Sequence, residues 1–355
     1  MFYRILVINP GSTSTKISVF DDDKEVVRVT LRHSEGELSR FNTIADQHEY
    51  RELLVLKFLE ENKIATSSIS AIVGRGGVLK PMPGGTYIVN KEMCDYLKAP
   101  KQEHASNLGA LIAKSIAEKI DVTAFIVDPV AVDELEPEAR FAGHPNFERI
   151  SIFHALNQRA VARSVAERIG KKYEDCNFVV AHLGGGISVG AHKKGKIVDV
   201  NNALDGDGPF SAERSGGLPS GQLVETCFSG KYTKQEVKKM LKGQGGVVAY
   251  LGTNDMIEVE KRIDNKDEKA RIVFNAMCYQ TAKEIGSCAA VLSGKVDRVI
   301  ITGGVANDKR LVDYIGSRVS FIAPVEVVPG EEEMKALALG ALRVLNKEEK
   351  AKEFN

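Results

Sequence analysis

The chain has 355 residues, with 48 Lys and Arg balanced by 48 Asp and Glu, for a formal net charge of zero. That balance leaves no broad basic field for nucleic acid and no acidic tail, and no apolar run approaches membrane-spanning length. Five scattered cysteines (Cys94, Cys176, Cys227, Cys278, Cys288) with no CxxC pair predict reduced, mostly buried thiols in a cytoplasmic protein rather than a disulfide framework.

The length allows two domains with proper cores. The chain runs straight into an apolar stretch, Ile5-Leu6-Val7-Ile8, which predicts a strand and no secretory leader. The stretch ends in Asn9, turns at Pro10-Gly11, passes a hydroxyl-rich tip (Ser12-Thr13-Ser14-Thr15) and leaves through an alternating strand from Lys16. Glycine lets a phosphate approach the backbone of such a tip, and hydroxyls and amides donate to it. A polar turn at Asp21-Asp22-Asp23 leads to a third strand around Val26–Val29. Apolar positions at 3–4 residue spacing predict a helix over 107–120 with Asn107 as its cap, and another over 155–169 stopped by Gly170. The second half repeats the opening: Phe178-Val179-Val180-Ala181 runs into a Gly184-Gly185-Gly186 turn, then two more strands about a Lys193-Lys194-Gly195 turn. A long helix over 268–292, a strand at 299–302 ending in Gly303-Gly304, and a last helix from near Glu332 follow. Alternating strands and helices with an internal repeat predict an α/β protein with mixed sheets, in two lobes divided near residue 150. The first lobe is expected over 1–150 and the second over 151–334, with the helical end 335–355 packing back on the first.

Several polar side chains sit where α/β proteins place their chemistry. Arg75 follows an apolar strand and is flanked by glycines, which suits bidentate contact with a carboxylate or phosphate; a surface loop arginine reads equally well. Asp128 ends a strand, but precedes Pro129 and is also an ordinary turn starter. His154 stands at a strand-to-helix step, where it can donate to a phosphoryl oxygen or simply cap the helix. His104 carries the same ambiguity. Arg214 lies in a loop dense in Gly and Asp, whose ordering needs compensation from a function or leaves a solvated crossover. Glu331-Glu332-Glu333 suit a helix N-terminus through the dipole, or a Mg²⁺ water shell through one carboxylate. Gly190–Ile197 falls short of a P-loop: no Ser or Thr follows its lysine, and it lies between two strands.

These residues together resemble the acetate/butyrate kinase family, in the actin-like ATPase and sugar kinase superfamily. Asn9-Pro10-Gly11-Ser12-Thr13-Ser14-Thr15-Lys16 is similar to the family's N-terminal signature. Arg75, Asp128, His154, His182-Leu183-Gly184-Gly185-Gly186, Arg214-Ser215-Gly216, Gly303-Gly304 and Glu332 follow in the family's order over nearly the whole chain. The resemblance implies a duplicated two-lobe, ribonuclease H-like fold with ATP in the interdomain cleft. It implies reversible, direct in-line transfer of the ATP γ-phosphoryl group to a small carboxylate with Mg²⁺, giving an acyl phosphate and ADP, by a homodimer or larger oligomer. Arg75 and Arg214 would hold the carboxylate and the moving phosphoryl group, His154 would donate to it, and Asp128 would assist near the metal or the acceptor oxygen. Asn9 and Glu332 would place Mg²⁺. Ser12, Lys16, His182, Gly184, Gly185 and Gly186 would meet the ATP phosphates, with Asp255, Gly303 and Gly304 around adenosine. Gly77, Phe153 and Pro209 would line the acyl pocket. Acetate kinases read Arg-Val-Val-His-Gly-Gly where this chain has Arg75-Gly76-Gly77-Val78, and Gly77 in place of a valine is expected to open room for butyrate or a branched acid such as isobutyrate. Ile257 stands where they carry an arginine near the nucleotide. The alternatives are an acetate or propionate kinase, and an ATP-binding module of the same fold without an acceptor; the paired Arg75 and Arg214 argue against the latter.

Overall fold

A computed structural model describes residues 2–99 and 104–355. They form two compact units, Met1–Val132 with Glu332–Asn355, and Asp133–Glu331. In the first, β1 (Arg4–Pro10), β2 (Ser14–Asp21) and β3 (Lys24–Arg32) form an antiparallel meander. Next come β4 (Ala71–Arg75), β5 (Thr86–Ile88) and β6 (Thr123–Val127), completing a sheet of order β3-β2-β1-β4-β6-β5. β1, β4 and β6 are parallel neighbours. β1 is an unbroken apolar run because both its faces are covered, whereas β3, at the edge, alternates between exposed and half-buried residues.

The helix Asn107–Ile120 packs on β4 and β6. It approaches so closely because two glycines face each other: a Cβ on Gly74 would lie 2.1 Å from the Gly109 carbonyl oxygen, and one on Gly109 2.3 Å from that of Arg75. The helix starts at the expected cap itself, so the cap falls one residue earlier. Ser106 is the N-cap and makes no side-chain cap bond. The Asn107 side chain instead accepts the Val78 N–H at 2.8 Å, tying the helix start to the loop after Arg75. The last helix, Glu333–Leu345, contacts β1, β4 and β6, and the tail pairs with β5 through Thr86, Ile88 and Lys352.

In the second unit the plan recurs. β7 (Asn177–Leu183), β8 (Ile187–Lys193) and β9 (Lys196–Val200) form an antiparallel meander, and β10 (Arg298–Gly303) and β11 (Val325–Pro329) add in parallel. The order β11-β10-β7-β8-β9 matches β6-β4-β1-β2-β3 strand for strand. The helix Lys309–Val319 lies between β10 and β11 in the chain, as Asn107–Ile120 lies between β4 and β6. Val179 and Ala181 face a core shared with Phe274, Met277 and Ile285 of the helix Glu268–Val291. Phe178 and Val180 face the opposite core, with Val161 and Val165 of the helix Ala155–Arg168. The near-P-loop segment is a tight hairpin turn between β8 and β9, with Lys194 and Gly195 at φ 50° and 82°. The units divide after Val132 and not near 150. Residues 133–150 belong to the second because the Glu136 N–H donates to Val198 O at 2.9 Å and Arg149 pairs with Asp199 at 2.8 Å.

Candidate active site

The first unit gathers one set of groups at the C-terminal ends of β1 and β4. Asn9 is buried near the end of β1 and Arg75 ends β4. Their partner is Glu333: its Oε2 accepts from Asn9 Nδ2 at 2.8 Å and Arg75 Nη1 at 3.0 Å, and its Oε1 lies 2.9 Å from Arg75 Nη2. Arg75 Nη1 also reaches Asn9 Oδ1 at 3.3 Å. Glu332, the acid expected beside Asn9, is the exposed N-cap of the last helix and makes no side-chain cap bond. Lys16 is the cross-strand partner of Asn9 and is exposed, as is Ser12 at the tip.

Sequence reasoning missed the group that shapes this tip. Arg51, 1% exposed on the helix His48–Glu61, donates to the carbonyls of Gly11 (2.8 Å), Ser14 (3.1 Å) and Ser12 (3.1 Å), and to Thr15 Oγ1 (3.2 Å). Gln47 Oε1 takes its remaining donors. Burial draws this guanidinium down to about 10. No local pattern marks Arg51, because its meaning comes from carbonyls some forty residues earlier in the chain.

Asp128 follows β6 and adopts φ 38°, the left-handed region. Its Oδ1 accepts the Gly85 N–H at 2.7 Å, and its own N–H donates to Gly85 O at 3.0 Å, so it clasps the loop before β5. Gly77 does not open a chamber. A Cβ there would lie 2.5 Å from Asn107 Oδ1 and 2.9 Å from Leu97 Cδ2, so the space of the missing side chain is already filled. His104 is exposed, with Nδ1 2.7 Å from Ser106 Oγ.

The second unit gathers the other set. His154 is the N-cap of Ala155–Arg168 but makes no side-chain cap bond. Its ring stacks on that of His182, with centroids 3.8 Å apart and planes 13° from parallel. His182 Nδ1 lies 2.7 Å from Asn157 Oδ1. Its buried Nε2 is 3.0 Å from Glu331 Oε1, an ion-pair distance, but too far off line for a hydrogen bond. Arg214 lies against the glycine turn: a Cβ on Gly186 would sit 1.9 Å from its Nη1. That Nη1 donates to Ala203 O at 2.6 Å, and the Ala203 N–H to Ile152 O at 2.9 Å, which joins the arginine to the segment carrying Phe153 and His154. The buried Arg214 Nε has no hydrogen-bond partner among the described residues, and burial lowers the pKa of the group from its ordinary value. Ser211 Oγ donates to Gly185 O at 2.6 Å, so the arginine loop also orders the turn. Phe153 and Pro209 are buried.

A cavity of about 500 Å³ opens beside these groups, lined by Gly184, Gly185, Asp255, Ile257, Gly304 and Asp308 among others. Asp255 caps the helix Met256–Asp264 by accepting the Ile257 N–H at 2.9 Å. Gly303 lies behind the wall, where a Cβ would meet Leu183 O at 2.2 Å. Glu260 and Asp308 form a carboxyl pair on the wall; the hydrogen bond between them, and then burial, push Glu260 up to about 7. The cavity therefore presents backbone, apolar side chains and acceptors, which suits a ligand with ring faces and hydroxyl donors.

Residues 149–322 match the Acetokinase family. Butyrate kinase 2 of Clostridium acetobutylicum is 57% identical over 355 residues, the whole of both chains. The chain belongs to the acetokinase family. The crystal structure of Porphyromonas gingivalis acetate kinase aligns with a TM-score of 0.79 at 20% identity, over 97% of this chain and 100% of that one. A propionate kinase from Francisella tularensis subsp. tularensis SCHU S4 aligns at 0.74 and 20%, over 95% and 98%. At such identity the likeness speaks for the fold, two mixed α/β lobes of the actin-like ATPase type. Among the described residues of this acetokinase no helix is long and apolar enough to cross a membrane. No three His, Cys, Asp or Glu side chains cluster there as a metal cage either. Asn9 and Glu333 supply oxygen donors alone, which suits Mg²⁺, an ion that keeps several waters and takes substrate phosphates with one or two carboxylates.

Proposed function

We propose that this acetokinase is a butyrate kinase, moving the γ-phosphoryl group of ATP to a short-chain carboxylate and the reverse. Full-length identity of 57% to a butyrate kinase supports that acceptor. The chemistry rests on one observation above the rest: the half-buried Arg214 guanidinium held against a glycine turn. Partial burial removes water from the guanidinium, which strengthens its attraction for an anion that reaches its exposed side. A carboxylate is already ionised at pH 7, so no strong base is required, and the obstacle is bringing one anion to another. Arg214 offsets charge on the moving phosphoryl group, His154 donates to it, and Arg75 orients the carboxylate. The turn Gly184–Gly186 and the tip at Ser12 and Lys16 meet the ATP phosphates, and the cavity beside Asp255 and Gly304 takes adenosine. Asn9 and Glu333 would hold Mg²⁺, which would neutralise phosphate charge when bound. Asp128 acts by fixing the loop after Met82.

The test is an assay with ATP and Mg²⁺ against acetate, propionate, butyrate and isobutyrate, trapping acyl phosphate with hydroxylamine. Turnover highest on the four-carbon acids is the expected outcome. A maximum on acetate would keep the chemistry and discard the acceptor. ATP binding with no product from any acid would overturn the kinase reading.

A further inference from the structure

Behind His154 lies a file of buried polar side chains that the proposed transfer does not use. His154 and Gln158 are one turn apart on the same helix face, and Ser188, Gly190 and His192 share one face of β8. The two rows interleave. His154 Nδ1 lies 2.9 Å from Ser188 Oγ. Gln158 Nε2 lies 2.9 Å from the same hydroxyl and 3.1 Å from the Ser188 carbonyl oxygen. Gln158 Oε1 lies 3.0 Å from His192 Nε2, and His192 Nδ1 2.8 Å from the Tyr173 hydroxyl. Gly190 makes the room, since a Cβ there would sit 2.5 Å from Gln158 Oε1. Ser188, Gln158 and His192 are fully buried.

Each proton in this file can be placed by elimination. A carbonyl oxygen only accepts, so the Gln158 atom facing Ser188 O is the amide nitrogen, and the other is the oxygen. That oxygen also only accepts, so His192 carries its proton on Nε2. Burial keeps His192 neutral, drawing its pKa well below 6.5, and its bare Nδ1 accepts from the Tyr173 hydroxyl. Gln158 donates to Ser188 Oγ, whose own hydrogen then has one acceptor within reach among the described residues, His154 Nδ1. We infer that Tyr173, His192, Gln158 and Ser188 form a one-way chain of hydrogen bonds that holds His154 in the neutral tautomer protonated at Nε2. A proton on Nδ1 instead would leave the buried Ser188 hydroxyl with two donors facing it and no acceptor. The stacked His182 ring fixes the plane of the imidazole, and the chain fixes which of its nitrogens donates. The four are positioning residues. Their purpose rests on the reading of His154 as the donor to the phosphoryl group; the tautomer itself does not.

The experiment is long-range ¹H–¹⁵N correlation on the full-length protein labelled with ¹⁵N-histidine at pH 7.5, with His154 assigned by its loss in His154→Ala. The expected signature is an unprotonated Nδ1 and a protonated Nε2 in the wild type. Ser188→Ala, which removes the donor to Nδ1, is expected to shift His154 toward the other tautomer. It should also lower kcat on the order of 10²-fold with KM for ATP unchanged. A wild-type His154 protonated at Nδ1 overturns the inference without need of any variant. A Ser188→Ala protein with wild-type tautomer and kcat overturns it too. Full turnover in His154→Ala, with the tautomer signature intact in the wild type, would overturn the proposed role of His154 and leave the chain standing.

Discussion

Two arginines show how burial turns one residue type to different ends. Arg214 keeps its buried Nε without a partner among the described residues, whereas every donor of Arg51 is taken, mainly by backbone carbonyls. Arg214→Ala removes a group that, on the proposed mechanism, is strongest when charge moves. Turnover should fall on the order of 10²–10³-fold with ATP affinity nearly kept. Steady-state kinetics paired with ATP titration by calorimetry checks this, and near-normal turnover would remove Arg214 from the reaction. Arg51→Met should fail differently. It leaves the carbonyls of Gly11, Ser12 and Ser14 facing an apolar chain, at a cost of about 3 kcal/mol or more to stability. Because the tip loses its shape, KM for ATP should rise more than kcat falls. A urea midpoint equal to that of the wild type would contradict the count of hydrogen bonds.

At the scale of elements, close approach of backbone to backbone sets where the strand ends lie. The pair Gly74 and Gly109 brings the helix Asn107–Ile120 onto β4 and so fixes the base of Arg75. Gly109→Ala places a methyl 2.3 Å from a carbonyl oxygen and should lower stability by about 1–3 kcal/mol, while Gly36→Ala, with nothing within 4 Å, should be nearly neutral. Chemical denaturation of the two variants side by side decides it. The same reasoning applies to Gly77. Gly77→Ala should press on Asn107 and Leu97 and lower stability without changing the order of preference among acids, whereas a change in that order with normal stability would restore the pocket. Chain order, strand types and the half-chain echo were legible in the sequence because hydrophobic period and glycine turns are local signals. The role of Asn107 was not, since what its side chain bonds is the backbone of a loop twenty-nine residues away. Nor was the choice among Glu331, Glu332 and Glu333, which the start of the last helix distributes to His182, to solvent and to Arg75.

The whole molecule is one plan built twice, and each copy buries an uncharged histidine beside its meander. His33 in the first unit contacts Thr15 Oγ1 at 2.8 Å, and burial, aided by the Arg51 charge, lowers its pKa. His192 in the second is lowered further, again by burial first and then by the charge of Arg159. The unfolded chain takes up a proton at each imidazole as pH falls through about 6.5, while the native state resists. At these two positions the unfolded state then binds more protons, so their contribution to stability is full above pH 6.5 and falls below it, while Glu260, raised to about 7 in the fold, works in the opposite sense. Each histidine contributes a slope of up to about 1.4 kcal/mol per pH unit. Urea titrations at pH 7.5, 6.5 and 5.5 on the wild type and on His33→Gln separate the first histidine from the rest, because the Glu260 contribution is common to both. His33→Gln, which keeps a polar group beside Thr15 but cannot take up a proton, should lose less of its midpoint than the wild type between pH 6.5 and 5.5. Equal changes in the two proteins would mean that His33 protonates in the folded state as readily as in the unfolded chain, which burial at that position does not permit.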